Sequence, residues 1–220
     1  GRDVYLVKTD SEGNELWSQT YKGLVGYSVQ VTSEGGYIIA GSSDSFGANG
    51  MDVYLVLTDS DGNMLWSQTY GGIEDEIGHS VQMTSEGDII IIGNVGNYQG
   101  DVFLFIIESL LKTKTSPNSE TRWIIETVNS GVNRFDFQAS SLALDYLGNP
   151  HISYPINGAL KYAVLSNGVW QIETVDSSVY LGVFSSLALD SSGNPHISYQ
   201  VNGALKYAVL SDDGWQIETV

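Results

Sequence analysis

No cysteine occurs in the 220 residues, so neither a disulfide nor a thiolate metal site holds this fold, and the redox compartment stays open. Positive charge is scarce as well. Nine Lys and Arg stand against 26 Asp and Glu, a net charge of −17 that repels nucleic acid and anionic membrane surfaces. A nucleic-acid partner is therefore not expected. Acidity of this kind suits a solubilised outer surface, a cation-rich surrounding or a calcium-dependent module, and composition does not separate the three. Long apolar runs are missing, as is a charged-then-apolar leader, so no membrane insertion is expected. The first residue is Gly1 rather than Met, which reads as a processed or truncated chain. There is no Asn-x-Ser/Thr glycan acceptor. Few Lys with many Gly, Ser, Thr and Asn is the composition of a secreted or cell-surface repeat protein of a bacterium or archaeon, and that location is the expectation.

What the sequence has is repetition. Asp3–Gly23 matches Asp52–Gly72 at 17 of 21 positions, and Ser141–Ser166 matches Ser186–Ser211 at 22 of 26. The periods are 49 residues in the first half and 45 in the second, the range in which one unit cannot bury its own apolar faces and neighbours must stack. All five tryptophans, Trp17, Trp66, Trp123, Trp170 and Trp215, fall at one position of the unit. One large bulky ring per unit favours packing between adjacent units over sugar stacking.

Apolar residues alternate, or run in short blocks bounded by Gly, Asn, Asp and Ser, which predicts strands and turns and no helix. Eighteen strands are expected, the first spanning Asp3–Thr9 and the last Trp215–Val220. The fold class is all-β: a propeller of four-stranded antiparallel blades, about four and a half in this chain. Complete blades are placed near residues 24–70, 75–128, 139–175 and 184–220, after a half blade at Asp3–Tyr21. By repeat type the chain divides into 1–108, a loop or linker at 109–121, and 122–220. The third blade then takes three strands of the first type and a fourth, Trp123–Val128, of the second.

Two resemblances follow from the units themselves. Asp10-Ser11-Glu12-Gly13-Asn14-Glu15-Leu16-Trp17 and its copy Asp59–Trp66 resemble, with one residue fewer, the tryptophan-docking signature of PQQ-type propeller repeats. The resemblance implies the phase of the blades; the quinone cofactor is not implied, since its site has no match here. The second unit, Ser-Leu-Ala-Leu-Asp-x-x-Gly-Asn-Pro-His-Ile-Ser-Tyr at 141–154 and 186–199, is similar to propeller repeats of secreted, sialidase-like proteins. Ser166-Asn167-Gly168-Val169-Trp170 is too short for an Asp box, so sialidase chemistry is not implied.

Asp59-Ser60-Asp61-Gly62-Asn63 looks like a calcium loop, but a turn with an Asp cap and a left-handed Gly explains it more simply. No cofactor is expected, and calcium keeps only that weak support. His151 and His196 occupy equivalent places and share one structural role; His79 stands where the first unit has Tyr27. Glu126, Glu173 and Glu218 repeat in Glu-Thr-Val and read as outer-strand surface groups. Residues that break the repeat are the binding candidates: Asp44 and Phe46, Glu74, Asp75 and Glu76, Tyr98, Arg134 and Asp136, and Tyr180. All fall in connections expected on one face, where specificity can be written on a repeated scaffold. No Ser/His/Asp order, His pair or phosphate loop points to catalysis. The expected function is a non-catalytic extracellular interaction or structural module with a protein or polysaccharide partner. The alternatives are a lectin-like module and a glycan hydrolase or lyase using the face carboxylates. The half blade adds possible self-association, through the unpaired edge of Asp3–Thr9.

Overall fold

A computed structural model of the protein describes residues 3–44, 50–96, 99–107, 123–133, 140–178 and 184–220. The described residues form strands and turns without a helix. A two-stranded sheet comes first, β1 (Asp3–Thr9) with β2 (Glu15–Lys22). Four four-stranded sheets follow. The second sheet holds β3 (Val25–Val31), β4 (Tyr37–Ser43), β5 (Asp52–Thr58) and β6 (Met64–Tyr70). The third holds β7 (Glu76–Met83), β8 (Ile89–Val95), β9 (Gln99–Ile107) and β10 (Trp123–Asn133). The fourth holds β11 (Ser141–Leu144), β12 (Pro150–Ile156), β13 (Ala159–Ser166) and β14 (Val169–Asp176). The fifth holds β15 (Ser185–Leu189), β16 (Pro195–Val201), β17 (Ala204–Ser211) and β18 (Gly214–Thr219). Each strand pairs antiparallel with its neighbour in sequence, so every sheet is a meander.

The turns explain why. At Asp10, Oδ1 accepts the backbone N–H groups of Glu12 and Asn14 while Oδ2 accepts the Asn14 side-chain amide, all at 2.9 Å. The same three bonds recur at Asp59, Asp145 and Asp190. Each carboxylate is thus occupied by N–H donors that fold the chain back, the Asx-turn role rather than a cation's. The shorter Asn157-Gly158 turn has φ of 48° and 77°, the left-handed pair that fits a hairpin's twist.

Every apolar cluster spans two neighbouring sheets. Val4, Leu6 and Tyr21 of the first sheet meet Ile39, Tyr54 and Val56 of the second. Ile38, Val53 and Leu55 of the second meet Val81, Ile91 and Phe105 of the third. Ile92, Leu104 and Val128 meet Leu142, Ile152 and Tyr154, and Leu160, Tyr162 and Val175 meet Leu187, Ile197 and Tyr199. At about 1.5–3 kcal/mol for each fully buried large apolar side chain, these seams are the main stabilising term, and no sheet could supply them alone.

The tryptophans lie in these seams by two different contacts. Trp17 meets Tyr37 edge-on, with ring centroids 5.4 Å apart, and Trp66 packs on the seam between the second and third sheets. Trp170 and Trp215 instead face the preceding sheet, donating their indole N–H to Glu126 at 3.0 Å and to Glu173 at 2.9 Å. The Trp123 side chain lies outside the described residues. Glu126 and Glu173, read from sequence as plain surface groups, are therefore inter-sheet acceptors. His151 and His196 also do the same thing twice: each Nδ1 meets a tyrosine hydroxyl, of Tyr162 and Tyr207, and each Nε2 lies 3.8 or 3.6 Å from the turn carboxylate of Asp145 or Asp190.

Candidate functional site

The first strands of the four larger sheets, β3, β7, β11 and β15, lie in series, each against the next. Close approach of bare backbone edges leaves N–H groups that need acceptors. A serine on each of β3, β7 and β11 supplies one. Ser28 Oγ accepts the Val81 N–H at 3.2 Å, Ser80 Oγ that of Leu142 at 3.3 Å, and Ser141 Oγ that of Leu187 at 3.0 Å. Small side chains permit the approach, and each hydroxyl proton remains free to donate elsewhere.

Together these strands line an open cavity of about 340 Å³, within the range of small-molecule sites. Five of its eight described lining residues are serines, Ser28, Ser80, Ser140, Ser141 and Ser185. Tyr27, His79 and Phe184 join them, so among the described residues no carboxylate, ammonium or guanidinium lines it. Tyr27 meets His79 edge-on at 5.4 Å between ring centroids. His79 Nε2 lies 2.7 Å from Asn94 Oδ1, which places the proton on Nε2 and leaves Nδ1 as an acceptor. Burial pushes the imidazole below its ordinary pKa, against a weaker upward pull from that hydrogen bond, so His79 is neutral at pH 7. The two outer rings are accessible, Tyr27 at 47% and Phe184 at 55% of their full exposure.

Of the loop residues singled out from the sequence, Asp44 and the trio Glu74, Asp75 and Glu76 lie at the end of the sheets where the first strands begin, because successive connections of a meander alternate ends. Asp44 is exposed just after β4, and Glu74 is exposed between β6 and β7. Asp75 is spent on the backbone, its Oδ1 accepting the Met51 N–H at 2.9 Å. Glu76 is buried and accepts the Gly72 N–H at 3.1 Å; burial first, then the nearby Asp52, Asp75 and Glu74 charges, raise its pKa above the ordinary value despite that bond. The acidic trio thus ties the connection to the start of β5 and presents only Glu74 to solvent. Phe46, Tyr98, Arg134, Asp136 and Tyr180 lie outside the described residues. Among the described residues no three acidic or histidine side chains are grouped to hold a metal ion.

No protein-family model matches the chain, and no curated protein matches it. Among solved structures, one similar chain is a fucose lectin from Kordia zhangzhouensis in complex with methyl-fucoside. It is 14% identical, with 63% of this chain and 95% of the lectin covered and a TM-score of 0.41.

Proposed function

We propose that the protein is a propeller-type array serving as a non-catalytic, extracellular binding module, and that its ligand is a neutral, hydroxyl-rich compound of the carbohydrate class held in the serine-lined cavity. The observation that carries this reading is the chemistry of the described lining: five serines, a neutral imidazole and two accessible aromatic rings, with no charged group among the described residues. A sugar presents hydroxyls together with apolar C–H faces, and this lining offers a partner to each. The surrounding charge of −17 disfavours anionic ligands. Catalysis by the face carboxylates has less support, because Glu76 is buried and Asp75 is bound to backbone.

The test is binding to a panel of neutral, sialylated and sulfated glycans, with and without calcium. At least one neutral glycan is expected to bind in both conditions. Tyr27→Ala and Phe184→Ala remove accessible rings at little cost to the fold, and each is expected to weaken that binding by roughly tenfold, about 1.4 kcal/mol. Silence across the panel, or binding untouched by both variants, would sink the proposal. A second reading, assembly through β1, has its own observation: among the described residues β1 pairs only with β2, and Tyr5 and Val7 on it are exposed. Mass rising with concentration in light scattering supports it, and an unchanging 23.9 kDa species counts against it.

A further inference from the structure

The fourth and fifth sheets share 22 of 26 residues over 141–166 and 186–211, so a difference in burial between equivalent side chains reports what lies against them. Leu160 is 0% exposed and its equivalent Leu205 is 50% exposed. Ser153 is buried with its Oγ 2.9 Å from Ser185 Oγ, while Ser198 is exposed. Tyr162 is buried with Trp215 edge-on at 5.3 Å, while Tyr207 is only half-buried. Ser141 and Glu173 accept N–H groups of Leu187 and Trp215 from the following sheet. Their equivalents, Ser186 and Glu218, have no following sheet among the described residues.

What covers the fourth sheet therefore describes what the fifth accepts. From this we infer that the outward face of the fifth sheet is a docking surface for one more four-stranded sheet of the same repeat type. Its innermost strand brings a Ser-Leu pair whose leucine N–H meets Ser186 Oγ. Its outermost strand brings a tryptophan that stacks on Tyr207 and donates to Glu218. The interface continues one already present between the fourth and fifth sheets, with the same residues on the receiving side. A second copy of this chain does not fit the role. The inward faces that carry this set, with Leu142 and Trp170 or Leu187 and Trp215, are already packed against the third and fourth sheets. The occupant is a further repeat unit from outside these 220 residues.

The test appends one 45-residue period, a copy of residues 176–220, after Val220. That unit's ability to fold is given by the fifth sheet, which has the same sequence. Hydroxyl-radical footprinting is expected to show several-fold lower oxidation of Leu205 and Tyr207 in the extended chain. Glu218→Ala is expected to leave the thermal midpoint of the 220-residue chain unchanged. In the extended chain it should lower the midpoint by as much as Glu173→Ala does in the parent. Unchanged reactivity of Leu205 and Tyr207, or Glu218→Ala silent in both chains, would overturn the inference. So would self-association of the 220-residue chain that protects Leu205, since the face would then take a second copy.

Discussion

Gly93→Ala is expected to lower stability by about 3 kcal/mol or more, because a side chain here meets backbone that cannot step aside. A Cβ at Gly93 would lie 2.0 Å from the carbonyl oxygen of Ile77 and 3.0 Å from its carbon. The cause is a register shift in β7 between Gly78 and Ser80, which swings the β7 backbone across its partner strand. The same device occurs in the second sheet, where β3 shifts between Gly26 and Ser28 and a Cβ at Gly41 would lie 1.9 Å from the Val25 oxygen. The fourth and fifth sheets pair their first two strands without a shift and carry no glycine on the second. Gly193→Ala is the control. Its φ of +86° disfavours a side chain, but open space surrounds it, so the loss should stay near 1 kcal/mol. Urea unfolding reads both, and a Gly93→Ala midpoint equal to that of Gly193→Ala would contradict the account.

Asp176→Ala should be comparably costly, about 3 kcal/mol, the low end for breaking a buried charged network. Asp176 ends β14 and is buried. Its Oδ1 accepts the N–H and hydroxyl of Ser178 at 2.8 and 2.6 Å. Its Oδ2 accepts the Tyr199 hydroxyl at 2.9 Å and the Lys206 ammonium at 2.8 Å, both from the fifth sheet. Truncation leaves a buried hydroxyl and a mostly covered cation without their acceptor. One sheet earlier the equivalent bond is neutral, from the Asn129 amide to the Tyr154 hydroxyl at 3.2 Å, so Asp176→Asn should cost less than Asp176→Ala. Burial on its own would raise the Asp176 pKa. The donors from Lys206, Ser178 and Tyr199 outweigh it and hold the carboxyl far below its ordinary 3.8. A depressed carboxylate binds fewer protons folded than unfolded, so its contribution is complete above the unfolded value and is lost as pH falls below it. Asp190, held at about 2 by Asn194 and the turn's N–H groups, acts in the same direction. Thermal midpoints should therefore fall steeply below about pH 4, and less steeply in Asp176→Ala.

The strands were legible because near-identical units reveal their own boundaries. Asp-x-x-Gly-Asn turns recur at one offset before Trp17 and Trp66 and at another before Trp170 and Trp215, and alternation fills the space between them. Where Asp-x-x-Gly-Asn or Asn-Gly turns join two strands, the meander follows from turns too short for anything but antiparallel neighbours. The cavity was not legible, and the reason is physical. Each of the four larger sheets, counted with the residue just before its first strand, contributes only two residues to it, and a serine on a strand reads as the polar half of ordinary alternation. A faint signal existed: a serine directly precedes Val29, Val81, Leu142 and Leu187, an apolar position shared by the first strands of the four larger sheets. The Glu126 and Glu173 acceptors were hidden for a related reason. With Glu218 they repeat three residues after each of the last three tryptophans, but sequence does not show which repeated groups face each other across a seam. The acidic loop at 74–76 departs from the repeat, yet its departure secures a connection, as the burial of Glu76 shows. Breaking a repeat is thus no proof of ligand contact.

The measurement that bears most directly on the binding reading is an NMR titration of the protein with neutral glycans, following the His79 imidazole and Tyr27 ring resonances. His79 sits in the cavity wall with one nitrogen committed to Asn94, so a bound polyol should shift its signals saturably, together with those of Tyr27. Acidic glycans should leave both unmoved. Saturable shifts confined to other parts of the chain, with His79 and Tyr27 silent, would contradict the assignment of the serine-lined cavity as the ligand site.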